Sequence, residues 1–149
     1  MIKNSSKSAE SQQKVTDANV VTRLALGSDV RCGFLVSSHD IRIDGRFFGT
    51  VVTKGKLILG EKGCFKGDIV CTNADIYGKM DGNIVSGDLL SLMSTSRFKG
   101  VIKINRLGVE NGAQFDGNCQ LLKADEFQTI FEEYEKRAEK EFSADSPEE

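Results

Sequence analysis

The sequence predicts an all-β solenoid of about six rungs, on three observations. A glycine-centred motif recurs at near-constant spacing, an apolar pair precedes most copies of it, and glycine is plentiful while proline is nearly absent. The 149 residues amount to about one domain. Fifteen glycines against one proline indicate regular tight turns, because disordered linkers usually carry both.

The motif is apolar, any, Gly, any, apolar. It occurs as Phe47-Phe48-Gly49-Thr50-Val51, Phe65-Lys66-Gly67-Asp68-Ile69 and Met80-Asp81-Gly82-Asn83-Ile84. Two further copies are Phe98-Lys99-Gly100-Val101-Ile102 and Phe115-Asp116-Gly117-Asn118-Cys119. A weaker first copy, Arg31-Cys32-Gly33-Phe34-Leu35, has a charge where the inward apolar residue belongs. The glycines lie 16, 18, 15, 18 and 17 residues apart. The pairs Ile41/Ile43, Leu57/Leu59, Ala74/Ile76, Leu90/Leu92 and Leu107/Val109 precede the last five. Each pair is spaced by two, the strand period that sends alternate side chains to one side.

Each unit of about 17 residues therefore holds about three short strands separated by corners. One unit cannot bury its apolar face alone, and stacked units form a continuous core. The inward set is expected to include Phe47, Val51, Phe65, Ile69, Met80, Ile84, Phe98 and Ile102. The uneven spacing is absorbed at corners. Ile43 to Phe47 is four residues and Leu59 to Phe65 is six, both even, so inward parity survives. An antiparallel sandwich explains short strands but not one motif returning six times.

The flanks read differently. Residues 1–20 are rich in Ser, Gln and Lys and are expected to be a flexible tail. Residues 123–149 form an acidic extension with ten acids against four bases, a balance of -6, while the whole chain carries -2. Within it, Phe127, Ile130, Phe131, Tyr134 and Ala138 fall on one face of a helix predicted over 125–142. Asp125 is placed to cap its start. This stripe is expected to pack on an open end or side of the solenoid, or to dock a partner protein. The solenoid proper spans 21–122.

The segments Ile41-Arg42-Ile43-Asp44-Gly45-Arg46-Phe47-Phe48-Gly49, Leu57-Ile58-Leu59-Gly60-Glu61 with Phe65-Lys66-Gly67-Asp68-Ile69, and Val109-Glu110-Asn111-Gly112-Ala113-Gln114-Phe115-Asp116-Gly117 together resemble those of a bactofilin. The resemblance covers roughly 21–122. It implies a right-handed, three-faced parallel β-helix of bacterial origin that polymerises without nucleotide. It also implies a cytoplasmic place, often at the inner face of the membrane, and roles in cell shape, polarity or placing cell-wall enzymes. Bactofilins often use the extreme N-terminus as a membrane foot, a part that falls here to Met1, Ile2 and Lys3. A predicted helix in place of a flexible C-terminal tail departs from the family.

Other functions find little support. The four cysteines, Cys32, Cys64, Cys71 and Cys119, include no C-x-x-C pair, and His39 is the single histidine. No metal site is expected from such a set. No phosphate-binding Gly-x-x-x-x-Gly-Lys-Ser/Thr loop occurs, so no nucleotide or other cofactor is expected. A near-neutral charge argues against nucleic acid. No apolar run approaches the ~20 residues of a membrane span, and residues 1–10 are too polar for a signal peptide. The rival reading is a solenoid enzyme, either a hexapeptide-type acyltransferase or a polysaccharide-active protein. The 15 and 16 spacings break an 18-residue coil, and His39, in Ser37-Ser38-His39-Asp40, reads first as a polar corner. Asp44 and Asp81 sit in Asp-Gly turns.

The chain is thus expected to be its own main partner, assembling end to end. Leu24, Leu26 and Val30 would lie at the opening rung, with Leu107, Val109, Phe115 and Leu121 at the closing one. Phe127, Ile130, Phe131 and Tyr134 would cap that end or meet a partner. The resemblance adds the inner-membrane surface and cell-wall-related proteins as further partners.

Overall fold

The computed structural model describes residues 21–144. Ten strands are followed by one helix: β1 (Val21–Leu24), β2 (Asp29–Ser37), β3 (Asp40–Ile43), β4 (Arg46–Thr53), β5 (Lys56–Leu59), β6 (Cys64–Cys71), β7 (Asn73–Ile76), β8 (Lys79–Leu92), β9 (Arg97–Val109), β10 (Gln114–Leu121) and α1 (Ala124–Ala144). Every strand pairing is parallel. The long segments stack in the order β2, β4, β6, β8, β9, β10, one per rung, which makes six rungs. The short segments β1, β3, β5, β7 and the later parts of β8 and β9 stack beside them. The expected β-solenoid is the observed fold.

A stacked glycine divides each long segment from the second rung on. Gly49, Gly67, Gly82, Gly100 and Gly117 are in register, with φ between +135° and +152°. There the chain turns from a first face (46–48 in the second rung) to a second face (50–53). The short segments form the third face. Rung lengths differ only at the corners. The turn from third to first face takes two residues at 44–45 and 77–78, and four at 60–63, 93–96 and 110–113. Each four-residue corner closes with an N–H to C=O bond between its last and first residues, such as Gly63 N to Gly60 O at 2.8 Å. Even insertions keep the inward parity, and all eight expected core residues from Phe47 to Ile102 are 2% exposed or less. The Phe47 and Phe65 rings stack with centroids 5.0 Å apart.

The first rung corrects one expectation. Arg31 does not stand at the inward position. Val30 pairs with Phe47 and Arg31 with Phe48, and the register then slips before Phe34, which pairs with Thr50. Cys32 and Gly33 together face the single Gly49, which is a β-bulge. The extra residue restores Val30 to the core side, where it packs against the buried cluster, and sends the Arg31 charge to solvent. The first turn is bulged and not missing its apolar residue.

Helix α1 begins at Ala124, one residue before Asp125. The Glu126 carboxylate reaches back to the Lys123 N–H at 2.8 Å, and Asp125 accepts the Glu126 N–H at 3.0 Å. Asp125 therefore works inside the first turn, where acids suit the helix dipole, and Glu126 supplies the cap. The helix lies on the second face. Phe131 is buried with Val52, Val70, Val85 and Leu122, and Phe34, Phe127, Ile130 and Tyr134 pack around them.

Candidate assembly surfaces

The residues foreseen at the ends separate into two groups at opposite ends of the stack. Leu24 and Val30 are half-buried against the core beneath them, and Leu26 is 65% exposed in the 25–28 turn. At the other end, Leu107, Val109, Phe115 and Leu121 are all exposed, Leu121 to 81%. Phe115 rests on Phe98 with ring centroids 5.7 Å apart, leaving its other side open. Residues 107 and 109 cover Leu90 and Leu92 below them and have no rung above.

The backbone at both ends is unsatisfied along the stacking direction. Within the described residues β10 pairs only with β9, β2 only with β4, and β1 only with β3. Among the described residues each end thus presents a row of N–H and C=O groups without a strand partner, beside apolar side chains, a template for another strand. Val21, 47% exposed, and Cys119 also lie at the ends. Cys119 was readable from the motif, since it stands over Ile102 in the inward row.

The helix does not cover the closing rung. It crosses the second face diagonally, from the second-to-third-face corner of the fourth rung at Gly87 to the first-to-second-face corner of the first rung at Gly33. A Cβ at Gly87 would meet the Phe127 ring at 2.7 Å, and one at Gly33 would meet the Glu141 carboxylate at 2.6 Å. Of the two placements expected on the solenoid, an open end or a side, the helix takes the side, because an apolar row lies there to be covered. Val36, Val52, Val70 and Val85 form one outward row in register, and it turns polar at Lys103 and Gln120. Phe127, Ile130, Phe131 and Tyr134 face this row and are thereby occupied. Met1, Ile2 and Lys3 lie outside the described residues.

The remaining chemistry is structural. At the His39 corner, the Ser37 and Thr53 hydroxyls donate to the His39 carbonyl at 3.3 and 2.7 Å, and the Ser37 hydroxyl accepts the His39 N–H at 3.0 Å. Buried Ser86 donates to the Thr72 carbonyl at 2.9 Å. Burial pushes the Cys71 thiol well above its ordinary range, so it remains an inert core thiol. Among the described residues, no group of three or more His, Cys, Asp or Glu is placed to hold a metal ion. No described helix is long and apolar enough to cross a membrane.

The fold and its ends define a stacked parallel β-solenoid of six rungs. A family model described as bactofilin, polymer-forming cytoskeletal, matches residues 24–120. The chain belongs to the bactofilin family. It is 33% identical over 89 residues to bactofilin BacO of Myxococcus xanthus strain DK1622, covering 60% of this chain and 71% of that one. It is 26% identical over 113 residues to bactofilin BacP of the same strain, covering 76% of this chain but only 47% of the relative. No solved structure matches the chain.

Proposed function

We propose that this protein polymerises end to end, without nucleotide, into filaments that serve as a cytoskeletal scaffold for cell shape or for placing cell-wall or polarity proteins. The observation that carries this reading is that, among the described residues, neither end carries a cap, with open strand edges and exposed Val109, Phe115 and Leu121 at the closing one. Soluble solenoids need polar terminal caps, and α1 occupies a flank instead. Like ends meet like in this reading, each joint being a self-complementary twofold contact.

Phe115→Arg tests it. The arginine would place an unpaired charge in a desolvated joint, while the rungs below keep their own pairing. High-speed sedimentation should show loss of filaments, and circular dichroism should show an unchanged β signal. Filaments that persist would put the joint elsewhere, and global unfolding would make Phe115 ordinary core. A short bismaleimide supplies a second readout. Cys119 of two copies meeting at their closing rungs should crosslink into covalent dimers, and Cys119→Ser should not.

A further inference from the structure

Among the described residues, nine large apolar side chains stand exposed, and they gather at the ends. Four belong to the closing end, and Val21, Leu26 and Val36 to the opening one. Phe48 lies on the second rung, and Phe142, 79% exposed, lies on α1. The helix brings Phe142 to the opening end. Glu141 stands over Gly33 of the first rung, and α1 continues from there to Ala144. Those last residues advance ~4.5 Å, about one rung at most. The final turn therefore stands level with the opening edge. There Phe142 borders a groove of about 490 Å³ with Gly33, Phe34, Val36 and Ala138. Its ring does not fill that groove, since most of it is open to solvent. Val36, 50% exposed, is the member of the valine row left out of the buried cluster around Phe131.

A surface that meets its own copy across a twofold must carry both halves of each contact. This one does. Phe142 projects, and the groove beside it is open. Glu135 and Glu139 rim the groove, and the same end presents the exposed guanidinium groups of Arg23 and Arg31. Size points the same way. One rung of about 17 residues falls short of the roughly 20–30 residues per side of a standard stable interface. The final turn of α1 widens the opening end toward that size. The closing end gains no such addition from α1, which leaves it along the second face.

We infer that α1 builds the opening joint: Phe142 of each copy seats in the groove between Phe34, Val36 and Ala138 of the other. The opening joint is then the tighter of the two, and the filament is assembled from dimers already joined at their opening ends. The inference rests on the filament reading for like ends meeting, and it adds the element that makes one joint unlike the other. A buried aromatic is the side chain best suited to dominate such a contact.

The test isolates each joint in turn. Phe115→Arg leaves only the opening joint, and Val30→Arg only the closing one. Adding Phe142→Arg to Phe115→Arg should weaken the dimer about tenfold or more in sedimentation equilibrium. Adding it to Val30→Arg should leave the dimer unchanged. Phe142 is exposed, so the melting temperature of the protomer should not move. Equal affinities with and without Phe142→Arg in the first background would overturn the inference, and so would equal losses in both backgrounds. A photoreactive benzoylphenylalanine in place of Phe142 gives a readout that needs neither background. In a mixture of light and heavy-isotope protein, mixed crosslinks to residues 34–36 of the other copy are expected. Mixed crosslinks to 115–121 instead, or none at all, would overturn the inference. Filaments that pellet without the expected crosslink sink the inference and leave the filament reading standing. Crosslinked dimers that never pellet keep the opening contact and sink the filament reading.

Discussion

The glycine ladder shows what a single residue decides here. A Cβ on Gly82 would overlap the Gly67 carbonyl oxygen of the rung below, and φ there is +140°. Both effects oppose any other residue. Gly82→Ala should cost about 2 kcal/mol or more, seen as a clear fall in melting temperature. Gly108→Ala is the control, because a Cβ there meets only Ser91 Oγ at 3.8 Å. Equal melting temperatures for the two variants would refute the close-approach account. Cys71 gives a pH signature. Its ordinary value is 9.0, and burial raises it in the folded state. Above that value the unfolded chain releases a proton that the folded chain retains. Stability is therefore fully present below about pH 9 and declines as pH rises, by up to ~1.4 kcal/mol per pH unit. Cys71→Val should flatten this alkaline decline, and unfolding curves of the two proteins from about pH 8 to about pH 10.5 should diverge accordingly.

At the scale of elements, α1 depends on the face it covers. Most helical stability in proteins comes from packing of an amphipathic face, and this helix is held by apolar packing on the valine row. Phe131, 4% exposed, sits at the centre of that contact. Phe131→Ala should cost about 3–5 kcal/mol of docking, enough to free the helix while the rungs keep their hydrogen bonds. Circular dichroism should then lose helical signal and retain β signal, with amide exchange speeding up only over 124–144. Helical signal that persists at full strength would show that the helix stands without the solenoid. Gly87 contributes to the same contact, since any side chain there would displace the Phe127 ring.

For the whole molecule, the two ends make distinct predictions about polarity. If like ends meet, Phe115→Arg should leave dimers joined through their opening rungs. Val30→Arg should leave dimers joined through their closing rungs, and the double variant should be monomeric. Head-to-tail joining predicts monomers from either single variant. Analytical ultracentrifugation separates the cases. Assembly should also proceed after nucleotide removal and in chelator, and a strict need for either a nucleotide or a divalent cation would refute the passive scaffold.

Inward positions were legible in the sequence because stacking forces chemically similar side chains into the same place on every rung. That repetition marked Phe47, Phe65, Met80 and Phe98 as core before any coordinates. The first-rung bulge was not legible, since only pairing with the next rung shows Cys32 and Gly33 sharing one partner. The helix site was half legible. Apolar doublets at Leu35-Val36, Val51-Val52, Ile69-Val70 and Ile84-Val85 put one apolar side chain outward on each of four successive rungs, and alternation in a strand makes the second member of each doublet face away from the core. Sequence alone thus determined the repeat, the core and the amphipathic helix, because these follow from local periodicity. Tertiary structure decided where the helix lies and which rows face outward together, because those depend on register between residues about 17 apart and on a face that exists only once the rungs are stacked.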